Sequence, residues 1–62
     1  MRKVYNYVGF LNALDDREKK VEVDQEFFEW LKHGIKLEEL PGKKKKGGPV
    51  AIYCGMEIYL VS

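Results

Sequence analysis

Residues 50–61 read VAIYCGMEIYLV, the longest strand-like pattern in the chain. Side chains alternate between the two faces of a strand, so an extended segment separates even-numbered from odd-numbered residues. The odd-numbered set includes Tyr53 and Tyr59. We therefore expect one long strand that bends at Gly55, or a hairpin split at that glycine. The even-numbered residues, which would face the core, are Val50, Ile52, Cys54, Met56, Ile58 and Leu60.

The N-terminal segment, residues 3–14, alternates in a similar way and is predicted to form a second strand, with a bulge or bend at Gly9. Its two tyrosines, Tyr5 and Tyr7, also have odd numbers. The tyrosines of both strands would then point away from the apolar faces. Such a tyrosine-rich sheet face suits a partner, because tyrosine joins a large apolar area to a polar tip. The simpler interpretation is that both faces of the sheet are covered within the monomer or a homodimer.

The sequence between these two segments predicts a hairpin followed by a helix. Residues 15–18 are polar and are expected to form a turn, and residues 19–23 a returning strand. Asp24 is a favourable N-cap residue for the helix that follows. Gly34 fits the left-handed position just after a helix end. The predicted apolar side of this helix carries Phe27, Phe28, Trp30 and Leu31.

Trp30 has two interpretations. Next to Leu31 and three residues after Phe27, it would complete the buried side of the helix, and we favour this position. Alternatively, Trp30 stands at the edge of the helix, where an exposed tryptophan is a frequent hot spot of protein interfaces.

The segment before the second long strand is ambiguous over residues 35–40, and we favour an extended conformation there. Residues 41–49 are a predicted loop in which two prolines bracket three glycines and four lysines. The predicted fold is therefore α+β, a single domain over residues 1–62. It consists of an antiparallel sheet of three to five strands, with a long bent C-terminal strand and one helix packed on one face.

The predicted loop contains the sharpest charge feature of the chain: Lys43, Lys44, Lys45 and Lys46. Four adjacent ammonium groups repel one another, and the flanking glycines would let backbone N–H groups approach an anion such as phosphate. The lysine and hydroxyl residue of a nucleotide-binding P-loop are replaced by Gly48 and Pro49, so that class is excluded. The simpler interpretation is a solvated loop that binds nothing.

The size of the chain predicts self-association. With 62 residues, it can form a core that contributes no more than about 3–5 kcal/mol. Cys54 is the single cysteine and His33 the single histidine, so neither an internal disulfide nor an ordinary zinc site can be built from one chain. A homodimer is the remaining means of stabilisation, and we expect no cofactor.

Several function classes are excluded by composition. The net charge of +1 provides no global basic field for nucleic acid, and no segment approaches the roughly 20 apolar residues that span a bilayer. Cys54 is expected to be buried and inert, and His33 to lie at a helix end. We therefore expect no enzymatic activity and no membrane association, and a single cysteine fits a cytoplasmic location.

The expected function is non-enzymatic binding of a protein partner, as a small regulator or inhibitor. Small α+β domains of this kind are common among proteins encoded by phages and mobile elements, which is an association only. The alternative is binding of nucleic acid or a nucleotide through Lys43 to Lys46 and the tyrosine face. The residues expected to bind a protein partner are Tyr5, Tyr7, Tyr53, Tyr59 and Trp30.

Overall fold

The computed structural model describes residues 1–40 and 48–61. Within these residues, two helices and five strands follow one another in the order β1, α1, β2, α2, β3, β4 and β5. Their bounds are Arg2–Lys3 for β1, Tyr7–Asp15 for α1, Lys20–Val23 for β2, Gln25–Gly34 for α2, Glu38–Glu39 for β3, Ala51–Tyr53 for β4 and Met56–Leu60 for β5.

The strands form one mixed sheet in the order β1-β2-β5-β4-β3. β1 and β5 both run parallel to β2, whereas β4 runs antiparallel to β3 and to β5. The chain passes from β1 to β2 through α1, and from β2 to β3 through α2. The α+β class is confirmed, but the predictions of an antiparallel sheet and of one helix are wrong.

α1 replaces most of the strand that was predicted for residues 3–14. Asn6 is its N-cap: the side-chain Oδ1 accepts a hydrogen bond from the backbone N–H of Gly9 at 2.8 Å, and the Asn6 backbone is extended. Phe10 and Ala13 are buried and Leu14 packs against the core. Residues 10 and 14 are four positions apart, and this spacing puts them on one face of a strand and also on one face of a helix. Alternation alone therefore could not distinguish the two structures.

Because α1 intervenes, β2 returns parallel to β1, and the predicted N-terminal hairpin is wrong. Arg2 stabilises this arrangement, since its guanidinium donates to the carboxylates of Asp16 and Glu18, just beyond the end of α1. The hydrogen bond to Asp16 raises the pKa of Arg2 above the ordinary arginine value. The ion pairs connect the start of β1 with the segment between α1 and β2.

α2 begins where the sequence predicts. The Asp24 side chain accepts a hydrogen bond from the backbone N–H of Phe27 at 2.6 Å, as an N-cap does. The prediction for the C-terminus is wrong, because Gly34 is the last helical residue and does not adopt a positive φ. Ile35 is the cap instead, and its N–H donates to the Leu31 carbonyl at 2.9 Å.

One hydrophobic core lies between the two helices and one face of the sheet. Both helices contribute to the same cluster of buried side chains, so they pack on the same face. The opposite face carries Glu22, Glu57 and Tyr59, which are half-buried. The buried residues are Val4, Phe10, Ala13, Val21, Val23, Phe27, Phe28, Leu31, Ala51, Met56 and Ile58.

β4 and β5 form a hairpin, which confirms the alternative split at Gly55, and the prediction of one long bent strand is wrong. Cys54 and Gly55 both have positive φ, 50° and 80°, the pattern of a two-residue type I′ turn. The turn changes which residues face the core: Ala51 pairs with Ile58 and Tyr53 with Met56. The prediction that Cys54 is buried is therefore wrong, since it lies exposed in the turn.

The extended conformation predicted for residues 35–40 is confirmed at Glu38–Glu39, which pairs with β4. The predicted anion-binding residues Lys43, Lys44, Lys45 and Lys46 lie outside the described residues.

Replacing the N-cap of α1 tests whether this segment is a helix. We expect Asn6→Ala to lower the free energy of unfolding by about 1 kcal/mol, because the Gly9 N–H loses its acceptor. In a domain of this size, that loss lowers Tm by about 4–8 °C. Asn6→Asp keeps an acceptor and is the control. Equal thermal stability of the alanine and aspartate variants would contradict the assigned cap.

The turn at Cys54 gives a second prediction. Asparagine tolerates positive φ better than cysteine, so Cys54→Asn should raise the free energy of unfolding by about 0.5 kcal/mol, whereas the β-branched Cys54→Val should lower it. Urea titration measures both changes. The native thiol should also react with a thiol reagent as quickly as it does in denaturant, and slow native labelling would show that Cys54 is covered.

Candidate binding site: an aromatic cleft at the helix N-termini

The four tyrosines lie in three different environments, so the predicted single tyrosine face is wrong. Tyr5 lies between β1 and α1, and Tyr7 is the first residue of α1. Tyr53 faces the core, and its ring centroid is 5.7 Å from that of Phe10. Tyr59 lies on the opposite face of the sheet, where the ammonium group of Lys20 is 5.9 Å from its ring centroid.

Trp30 is 53% exposed, so the favoured prediction of burial is wrong and the alternative position at the helix edge is correct. It meets two of the tyrosines in a surface cleft of about 320 Å³. Tyr5 is 74% exposed there and Tyr7 is 38% exposed. We call this site the aromatic cleft; it is lined by Tyr5, Asn6, Tyr7, Asp24, Glu26, Phe27 and Trp30.

The rings of the aromatic cleft pack directly on the core. Trp30 stacks on Phe27, with centroids 5.8 Å apart and an interplanar angle of 16°. Tyr7 is tilted by 60° to Trp30 at 5.5 Å. Phe27 in turn meets Phe10 edge-on at 6.4 Å. Trp30 and Tyr7 are thus held by neighbouring rings, which reduces the conformational entropy that they lose when a partner binds.

The topology explains why these residues meet. β1 and β2 are adjacent parallel strands, so their carboxyl ends lie at the same edge of the sheet. The chain leaves β1 towards the N-cap Asn6 and leaves β2 towards the N-cap Asp24. The starts of both helices therefore flank one crevice.

The electrostatics of the aromatic cleft favour a cation. Each helix N-terminus carries the equivalent of roughly half a positive charge. The carboxylates of Asp24 and Glu26 contribute two negative charges, and none of the lining residues is a lysine or arginine. The sum is negative, because two carboxylates outweigh two helix ends. The charge of the lining residues therefore favours a cation over a phosphate group.

The side chains of the aromatic cleft offer aromatic faces, one amide and two carboxylates. Over residues 1–40 and 48–61, no three histidine, cysteine, aspartate or glutamate side chains are placed to hold a metal ion.

In the same part of the chain, neither helix is long and apolar enough to cross a bilayer.

A second depression of about 380 Å³ adjoins the β4–β5 turn. It contains the exposed Cys54, and the other side chains around it are mostly polar or small. None of its lining residues is aromatic, in contrast to the contacting rings of the aromatic cleft. It is lined by Leu14, Arg17, Glu18, Lys19, Cys54, Gly55 and Met56.

Sequence reasoning identified three residues of the aromatic cleft, Tyr5, Tyr7 and Trp30, but missed the other four. The sequence predicts Asp24 only as a helix cap and places Asn6 in a strand. A usable signal was present: asparagine is a favoured N-cap residue, and Asn6 directly precedes the apolar residues of α1. Recognising that cap would have placed the starts of both helices at one edge.

Comparisons of the chain with protein-family models, with curated proteins and with solved structures found no match in any of the three.

Proposed function

We propose that this protein is a small non-enzymatic binding module that acts as a regulator or inhibitor, and that its aromatic cleft binds a protein partner. The observation that carries the proposal is the contact between Trp30 and Tyr7, two partly exposed rings with centroids 5.5 Å apart. Tyr5 extends the same surface.

Three physical arguments support a protein partner. Tryptophan and tyrosine are the residues most enriched among interface hot spots. Clustered exposed rings cost solvation free energy unless something covers them, and such patches mark interaction sites. The stacking of Trp30 on Phe27 fixes the tryptophan before binding, as in other preorganised interfaces.

The alternative function, binding of nucleic acid or a nucleotide, has less support at this site. It requires phosphates near the stacked rings, and the carboxylates of Asp24 and Glu26 oppose them. It also requires the tyrosines to act together, whereas Tyr53 packs on the core and Tyr59 lies on the far face of the sheet. Lys43 to Lys46 remain a hypothesis for anion binding.

We further propose that the module acts in the cytoplasm as a homodimer. The argument is the small core, which leaves little stability in reserve. Two apolar residues on the outer side of α1 support the same view: Val8 is 67% exposed and Leu11 is 44% exposed. A second copy that covered them would remove this apolar surface from water.

The partner-binding prediction is tested by affinity capture from the native host, followed by measurement of binding to the purified partner. Trp30→Ala should weaken binding by about 2–4 kcal/mol, because it removes the largest ring of the aromatic cleft. Lys43, Lys44, Lys45 and Lys46 changed together to serine should alter mainly the association rate, since exposed charges steer more than they hold.

Tyr59→Ala is the matched control, an aromatic residue on the opposite face of the sheet. It should leave binding within about 0.5 kcal/mol of the unchanged protein. Circular dichroism must show that each variant is folded. Full binding by Trp30→Ala, or equal losses at Trp30 and Tyr59, would refute the assignment of the aromatic cleft.

Self-association is tested by light scattering at high micromolar concentration, where we expect a two-fold symmetric dimer. Leu11→Glu should shift the protein towards monomer, because a charge would be buried in the interface. Asn12→Glu, the neighbouring exposed position of α1, is the control. A folded monomer at this concentration in the unchanged protein would refute the dimer.

A further inference from the structure

We infer that the aromatic cleft receives an arginine side chain of the partner. This inference rests on the proposed function, which it deepens by naming the group that is recognised. It depends on two features of the same site, its tilted aromatic faces and its carboxylates.

The aromatic faces suit a flat cation. The rings of Tyr7 and Trp30 are inclined by 60° to each other, and both line the cleft. Tyr5, the most exposed ring of the three, stands at the same opening. A cation over an aromatic face is attracted by the negative charge of the ring face, and tryptophan gives the strongest attraction. A guanidinium is planar and can stack on such a face.

The carboxylates supply hydrogen-bond acceptors beside those rings. Asp24 uses Oδ1 for the cap of α2. Glu26 lies exposed in the first turn of α2, and its side chain has no hydrogen bond or ion pair within residues 1–40 and 48–61. The cleft therefore combines aromatic faces with a carboxylate that has acceptor atoms to spare.

This combination selects arginine among the cationic groups. A guanidinium has five N–H donors in a fixed plane, so it can stack on a ring and donate to a carboxylate at the same time. The lysine ammonium is more strongly hydrated and has no planar face to stack. A quaternary ammonium has no N–H donor, so it would leave the carboxylates without hydrogen bonds.

Trp30 is the only tryptophan of the chain, so its fluorescence reports directly on the aromatic cleft. The probe is N-acetyl-arginine amide, titrated into the full chain at low salt. We expect a saturable change with a dissociation constant in the range of about 1–30 mM, typical of a single side chain. N-acetyl-citrulline amide has nearly the same shape without the charge and should bind about tenfold more weakly. N-acetyl-lysine amide should fall between them.

Variants separate the two features of the site. Glu26→Gln should weaken binding of the arginine probe by about three- to fivefold, since an exposed ion pair contributes modestly. Glu38→Gln, an exposed carboxylate of β3, is the matched control and should leave binding unchanged. Tyr5→Ala should weaken binding by about threefold through the loss of one aromatic face.

Three outcomes would overturn the inference: equal binding of the arginine and citrulline probes, no effect of Glu26→Gln, or a stronger response of Trp30 to inorganic phosphate. The last would point to the anion-binding alternative. These outcomes are distinct from failure of the proposed function. If Trp30→Ala abolishes partner binding while the arginine probe does not enter, the partner uses the cleft through another side chain. If partner binding ignores Trp30, the proposed function itself fails.

Discussion

The hydrogen bond between the Gly9 N–H and the Asn6 side chain begins helix α1, and the rest of the architecture depends on that helix. With residues 7–15 helical, the chain crosses over the sheet, and β2 pairs parallel to β1. Parallel pairing brings the ends of both strands, and so the starts of both helices, to the same edge of the sheet. Without α1, Tyr7 would lie on a strand and could not meet Trp30.

How much of the fold the sequence predicts depends on whether a segment fits one period or two. α2 was predictable because Asp24 is a strong cap and the aromatic residues that follow fit only helical spacing. Residues 3–14 fit both a period of 2 and a period of 3.6, and the choice between them depended on the cap at Asn6. The β4–β5 hairpin is a different case. Its turn has Cys54 at a positive φ, where asparagine or glycine would be the recognisable signal.

Three residues of the aromatic cleft were predictable from the sequence, but its geometry was not. Tyr5, Tyr7 and Trp30 were selected because large rings with polar tips suit interfaces, and that reasoning does not depend on the fold. Their proximity does depend on it, because Trp30 belongs to a helix that begins some twenty residues further along the chain. The negative charge of the aromatic cleft was not predictable either. Asp24 and Glu26 look like ordinary residues of a helix start until the second helix start is placed beside them.

Residues of the aromatic cleft differ in how closely binding and stability are linked. Asp24 caps α2 and Phe27 joins Trp30 to the core, so changes at either residue would disturb the helix and the binding surface together. Tyr5 and Glu26 are exposed, which makes them better probes of recognition alone. Binding also affects stability. Because the cleft exists only when both helices have formed, any ligand that occupies it stabilises the folded chain, and by more as its concentration exceeds the dissociation constant.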